Sequence, residues 1–181
     1  MTKLNAITEK EIIQKQRINK IITTTQKTVA KYTYPVFTDK NGKPDLTASS
    51  VVLEVESKYY LVTASHVLKN INTTLAIGVR GKFIPVTGKF ICSTSLQDKS
   101  SVGDFDIAYL ELDSAFIVEN KITPLEQKKL VISHQKNSPH IAFIHGFPAS
   151  KNKQSKALWN TLKFKLKSYA YAGIIDINFK G

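Results

Sequence analysis

At 181 residues and 42% apolar side chains, the chain has enough material to bury one core, or two small subdomains sharing one, which excludes a disordered polymer. Its single cysteine, Cys92, excludes an internal disulfide and the bridged framework of small secreted proteins. The net charge of +12 raises nucleic-acid binding, but only Arg17 and Arg80 among 26 basic residues are arginine, which argues against specific base and phosphate readout by forked guanidinium groups.

The chain begins Met1 to Ala6 and runs into Glu9-Lys10-Glu11 without an apolar leader, and no stretch approaches the roughly 20 apolar residues of a membrane span. A cytoplasmic location without membrane contact is therefore expected. Residues 7 to about 32 read as a helix packed on a domain, opened by the capping box Thr8-Glu9-Lys10-Glu11. Ile18, Ile21, Ile22, Thr25 and Val29 fall on one of its faces.

From Tyr34 the apolar period changes to two. Val51, Leu53 and Val55 alternate with Val52, Glu54 and Glu56, a turn follows at Ser57-Lys58, and Tyr59 to Thr63 returns as a more continuously apolar strand. Further strands are expected at 75–79, 83–86, 89–92 and 107–112, punctuated by Gly78, Gly81 and Gly88. Short strands without a helix long enough for a parallel crossover predict an all-β, antiparallel barrel. Residues 114–138, charged and with little alternation, read as a linker. Strands are then expected at 140–147, closed by Gly146-Phe147-Pro148, at 162–167 with three lysines outward, and from Ile175 to Phe179.

Two segments carry chemistry. Leu61-Val62-Thr63-Ala64-Ser65-His66-Val67-Leu68 sets a histidine where a buried strand breaks into a turn, and Asp104-Phe105-Asp106-Ile107-Ala108-Tyr109-Leu110 sets carboxylates at the mouth of another. A neutral imidazole, with an unperturbed pKa of about 6.5, takes a proton from a hydroxyl near pH 7, and a buried carboxylate on its other nitrogen fixes the tautomer. Spacing alone does not choose between Asp104 and Asp106.

The two segments together resemble the trypsin-like (chymotrypsin-fold) serine peptidases, whose histidine lies in Thr-Ala-Ala-His and whose aspartate precedes Ile-Ala or Leu-Ala. Gly146-Phe147-Pro148 is similar to the Gly-Tyr-Pro of bacterial and phage members. The resemblance covers roughly residues 34–181 and implies a chymotrypsin-like double antiparallel β-barrel with an N-terminal helix. It divides the chain into a helical extension (1–33), a first barrel carrying the histidine and aspartate (34–115), an inter-barrel linker (116–138) and an incomplete second barrel (139–181). It assigns His66 as general base and Asp106 as its orienting partner, leaving Asp104 to cap a loop. Ala48-Ser49-Ser50 departs from the Gly-Ser-Gly or Gly-Thr-Gly usual before the histidine hairpin, and Ser65 replaces the usual alanine, a conservative change in size.

The nucleophile's Gly-Asp-Ser-Gly-Gly setting is nowhere in the 181 residues. Ser100 and Ser101 lack the glycine pattern that exposes a nucleophile, and Cys92 reads as a small core residue. The resemblance therefore implies a serine endopeptidase domain acting on polypeptides, with this chain inactive as it stands. The alternative is a non-catalytic module of the same fold that holds a protein partner. His134, His140 and His145 match no common ligand spacing, so neither a metal nor another cofactor is expected. The oligomeric state is not legible.

Overall fold

The computed structural model describes residues 9–68, 75–93, 106–130, 140–152 and 166–175. Helix α1 spans Glu9–Val29. Ile22, Thr25, Gln26 and Val29, spaced as one helical face, are partly buried, whereas Ile12, Ile13, Ile18 and Ile21 remain exposed. The apolar stripe expected from Ile18 thus becomes a packed face only from Ile22. Thr8 of the expected capping box lies outside the described residues.

The period-two segments become strands β1 (Thr33–Asp39), β2 (Pro44–Val55) and β3 (Lys58–Thr63), joined as consecutive antiparallel hairpins. The β1–β2 loop turns through Asn41 and Gly42, whose N–H donates to the Asp39 carboxylate at 2.8 Å. The β2–β3 turn falls at Glu56-Ser57, one residue earlier than expected, with φ of 51° and 64°. Both residues are left-handed because a two-residue loop must match the twist of its strands, even though non-glycine residues lose roughly 1–2 kcal/mol each there.

β4 (Leu75–Val79) and β5 (Lys82–Val86) form a third hairpin through Arg80-Gly81, and β6 (Ile91–Cys92) and β7 (Ala108–Leu112) complete the sheet. The spatial order is β5-β4-β1-β2-β3-β7-β6, which contains the 4-1-2-3 arrangement of a Greek key. Pairing along this path is antiparallel throughout, and β8 (Leu125–Glu126) adds a short parallel contact to β2.

This sheet curls on itself. β5 and β6 lie at opposite ends of the order, yet only residues 87–90 join them. Five extended chain steps reach about 18 Å at most; six strand spacings of about 4.8 Å laid flat would need about 29 Å. The connection passes against β7 at Gly88, where φ is +139° and a Cβ would stand 2.6 Å from a methyl carbon of Leu110. Enclosed by the curl, Val36, Val52, Leu61 and Ile77 are fully buried. They form one cluster with Leu75, Val79, Val86, Leu110 and Leu112.

The same cluster takes in Ile117 of the short helix α2 (Ser114–Glu119) and Ile122 after it. The Tyr34 hydroxyl accepts the Thr123 N–H at 2.8 Å, fixing this segment to β1. The stretch expected as a linker therefore starts as a packed part of the first sheet's core.

β9 (His140–Gly146) and β10 (Tyr169–Ile175) form a separate antiparallel pair. β9 lies against α1, β1 and β2. At its end the Phe147 N–H donates to Ser49 Oγ at 2.8 Å, an approach so close that a Cβ on Gly146 would stand 2.9 Å from that oxygen. Buried Asn152 ties the next turn to the approach to β10, donating to the Lys167 carbonyl and accepting its N–H. Of the expected strand 162–167, residues to 165 lie outside the described set, as does the expected terminal strand beyond Ile175.

The architecture is thus mostly β, built from antiparallel sheets with one long N-terminal helix. Among the described residues no helix is long and apolar enough to cross a membrane.

Candidate active site

The β3–β7 ladder explains why a histidine and an aspartate 40 residues apart can meet. Thr63, the last residue of β3, pairs with Ala108, the first of β7, so both chains leave the ladder at the same rim. His66 follows by three residues and Asp106 precedes by two. Buried Thr63 donates its hydroxyl to the Ser49 carbonyl at 3.0 Å, which fixes the direction in which the chain leaves β3. After Ala64 it enters a 3-10 turn, Ser65–Leu68, that aims the imidazole outward.

Asp106 is held from both sides. Beyond it, the Ile107 N–H donates to Ser93 Oγ at 3.0 Å and the Ile107 carbonyl accepts the Ser93 N–H at 2.8 Å, clamping the entry to β7. In front, the Asp106 carbonyl accepts the Ser65 N–H at 3.3 Å. Its carboxylate is fully engaged. Oδ1 accepts the Ser65 hydroxyl at 2.6 Å and the His66 backbone N–H at 2.8 Å, while Oδ2 contacts His66 Nδ1.

These donors, the Ser65 hydroxyl foremost, hold the Asp106 carboxyl well below the usual carboxylate range, and slight burial acts the other way. An ionised carboxylate at Nδ1 selects the tautomer protonated there. Nε2 is left with a lone pair, the state a general base requires.

Sequence reasoning expected a buried carboxylate. Instead the side chains of His66 and Asp106 are 65% and 49% exposed, so the pair stands on an open rim where solvent screens its charges. The buried member is Ser65, which is inaccessible to solvent. Read from sequence as a conservative change in size, it supplies a hydrogen bond that alanine lacks. The available signal was a hydroxyl one residue before a histidine that needs a carboxylate partner.

Asp104, Ser100, Ser101 and His134 lie outside the described residues. Cys92, in β6, is a partly buried free thiol. His145 lies far along the chain from this rim, in a cleft of about 420 Å³ with Ser49, Phe147 and Tyr169 that includes neither His66 nor Asp106. Both its ring nitrogens are buried without a hydrogen-bond partner among the described residues, and burial pushes its pKa down. Among the described residues no group of three or more His, Cys, Asp or Glu is placed to hold a metal ion.

Comparison with protein-family models, with curated proteins and with solved structures finds no match to this chain.

Proposed function

We propose that these residues are the base-bearing part of a trypsin-like serine endopeptidase domain, with His66 as general base and Asp106 as the group that orients it. The carrying observation is the contact of Asp106 Oδ2 with His66 Nδ1, on a carboxylate whose other oxygen is held by Ser65 and the His66 N–H. In this reading the curled Greek-key sheet is the first barrel of a chymotrypsin-like pair, and β9–β10 belong to the second.

The reaction is peptide-bond hydrolysis through an acyl-enzyme. A serine hydroxyl attacks the peptide carbonyl as His66 Nε2 takes its proton, and Nε2 then returns that proton to the departing amine. Water repeats the sequence on the ester. Asp106 remains ionised throughout, holding the ring and stabilising the imidazolium as it forms. The attacking serine is not among these 181 residues in any Gly-x-Ser-Gly-Gly setting. Alone they are expected to show no peptidase activity.

A phosphonate probe for activated serines tests this, together with sequencing of the gene beyond codon 181. The expected result is a reading frame that supplies Gly-x-Ser-Gly-Gly, labelling of the longer form alone, and loss of labelling in His66→Ala. Labelling of the 181-residue chain, or of a longer form indifferent to His66→Ala, overturns the proposal. A stop codon followed by unrelated sequence favours the non-catalytic module. The observation on that side is α1, which leaves Ile12, Ile13, Ile18 and Ile21 exposed on a helix a protein partner can cover.

A further inference from the structure

A second cleft, of about 420 Å³, opens between the end of α1, the start of β1, the β4–β5 turn and the segment after α2. Three cations from three of these elements line it: Lys31, Arg80 and Lys121. Its lining includes no Asp or Glu, and among the described residues none of the three cations forms an ion pair. The floor is apolar, with buried Tyr34 and Val79 beside Phe147.

Two of these cations occupy backbone positions that disfavour them. Arg80 and Lys121 have φ of 49° and 52°, in the left-handed region where glycine or asparagine fits with less strain. Arg80 takes a turn position at which Asn or Gly is the favoured residue. Lys121 closes α2, where Gly or Asn is the common choice. Helix C-termini attract cations, which accounts for Lys31 and in part for Lys121 but not for Arg80.

The floor does not neutralise them. The Tyr34 hydroxyl is already occupied by the Thr123 N–H and by the carbonyls of Lys31 and Thr123. Burial raises the pKa of that hydroxyl, opposed first by its hydrogen bonding with Thr123 and then by the Arg80 charge. A chain of net charge +12 also draws anions towards this mouth.

We infer that this cleft binds a small phosphate-bearing molecule, its phosphate held by Arg80, Lys31 and Lys121 and its apolar body resting on Tyr34, Val79 and Phe147. A phosphomonoester carries about two negative charges at pH 7 and three acceptor oxygens, which suits three separate donors. The cleft lies within the size range of small-molecule sites, about 300–1,000 Å³. The site involves neither His66 nor Asp106 and stands whether or not the proposed peptidase reading does.

Phenyl phosphate, inorganic phosphate and phenol, titrated into the protein at fixed ionic strength, provide the test. Calorimetry and amide NMR shifts at Thr33, Gly81 and Thr123 are the readouts. Phenyl phosphate is expected to bind more tightly than inorganic phosphate, and phenol not to bind. Arg80→Asn keeps a residue at ease with positive φ and removes the charge, so the fold is expected to survive while affinity drops about tenfold or more. Lys121→Asn is expected to act in the same direction. Shifts no larger than those from sodium chloride at equal ionic strength overturn the inference, as does unchanged phenyl phosphate affinity in both variants.

Discussion

In the curled sheet, Val36, Val52, Leu61 and Ile77 are cut off from solvent, and strands from both ends of the order close over them. In the β9–β10 pair, Ile144 is 69% exposed and both nitrogens of His145 are buried without a partner among the described residues. The first region encloses a fully buried apolar cluster, although Ile91 and Tyr109 near its edge stay exposed; in the second, the described side chains include an apolar one left in water and a polar one stripped of it. His66 and Asp106 stand on the rim of the first. Their side chains are open to solvent, but the strands that present them are anchored in the buried cluster through Leu61, Leu110 and Leu112, so their geometry depends on that core more than on their own burial.

Core truncation tests this contrast most severely. Leu61→Ala removes a fully buried side chain at the centre of the curl, and a loss of about 3 kcal/mol is expected, within the usual span for such truncations. Ile144→Ala, on an exposed side chain, is expected to change stability by less than about 0.5 kcal/mol. Urea unfolding of the two variants reads both numbers. Equal losses would mean that the two regions share their stability evenly and that the contrast in burial is superficial.

A smaller effect sharpens the other side of the comparison. The folded state lowers the His145 pKa through burial, so on acidification the unfolded chain takes up the proton first. Stability attached to this residue is therefore complete above its unfolded pKa of about 6.5 and is lost as pH falls below it. Replacing the ring by an apolar one of similar shape, His145→Phe, removes both the titration and the unpartnered nitrogens. It is expected to stabilise the protein by about 1 kcal/mol at pH 5 and to flatten the melting-temperature profile between pH 5 and 6.5. A profile as steep as the parent's would assign the slope to another group.

Much of the curled sheet was legible because its strands announce themselves by alternation. Leu75–Val79 matches its expected bounds, and Ile107–Leu112 differs from β7 by one residue. The meeting of His66 with Asp106 was legible in part, because the ladder that brings them together follows from Tyr59–Thr63 and Ala108–Leu112 being strands. The β1–β2 hairpin was missed although Asn41-Gly42 is a strong turn signal, because Pro44 and Asp45 are poor strand formers that pairing with β1 overrides. α2 was missed because six residues are too few to show a helical period, and its buried Ile117 is fixed by the sheet beneath rather than by its own sequence. The role of Ser49 needs the Phe147 N–H, which is 98 residues away and invisible to local reading.

The finest test lies at Ser65, because a packing role and a polar role predict different outcomes there. Alanine fills nearly the same buried space, so a serine that only packs would be replaced with little change. The hydroxyl, however, is the leading cause of the lowered Asp106 pKa. A carboxyl depressed in the folded state adds stability above its unfolded pKa of about 3.9, and that stability is lost as pH falls through the folded value. Ser65→Ala is therefore expected to raise the Asp106 pKa, leave it below about 3.9 because both His66 donors remain, and make acid unfolding below about pH 4 less steep. Near pH 7 the cost should be below about 1 kcal/mol, since solvent screens a carboxylate that is 49% exposed. Carboxyl carbon NMR reads the pKa, and ring nitrogen shifts read whether His66 keeps its proton on Nδ1. Asp106→Asn removes the charge that selects that tautomer, so a mixed population is expected there and not in Ser65→Ala. An unmoved Asp106 pKa in Ser65→Ala would reduce Ser65 to packing and leave the two His66 contacts as the supports of the carboxylate among the described residues.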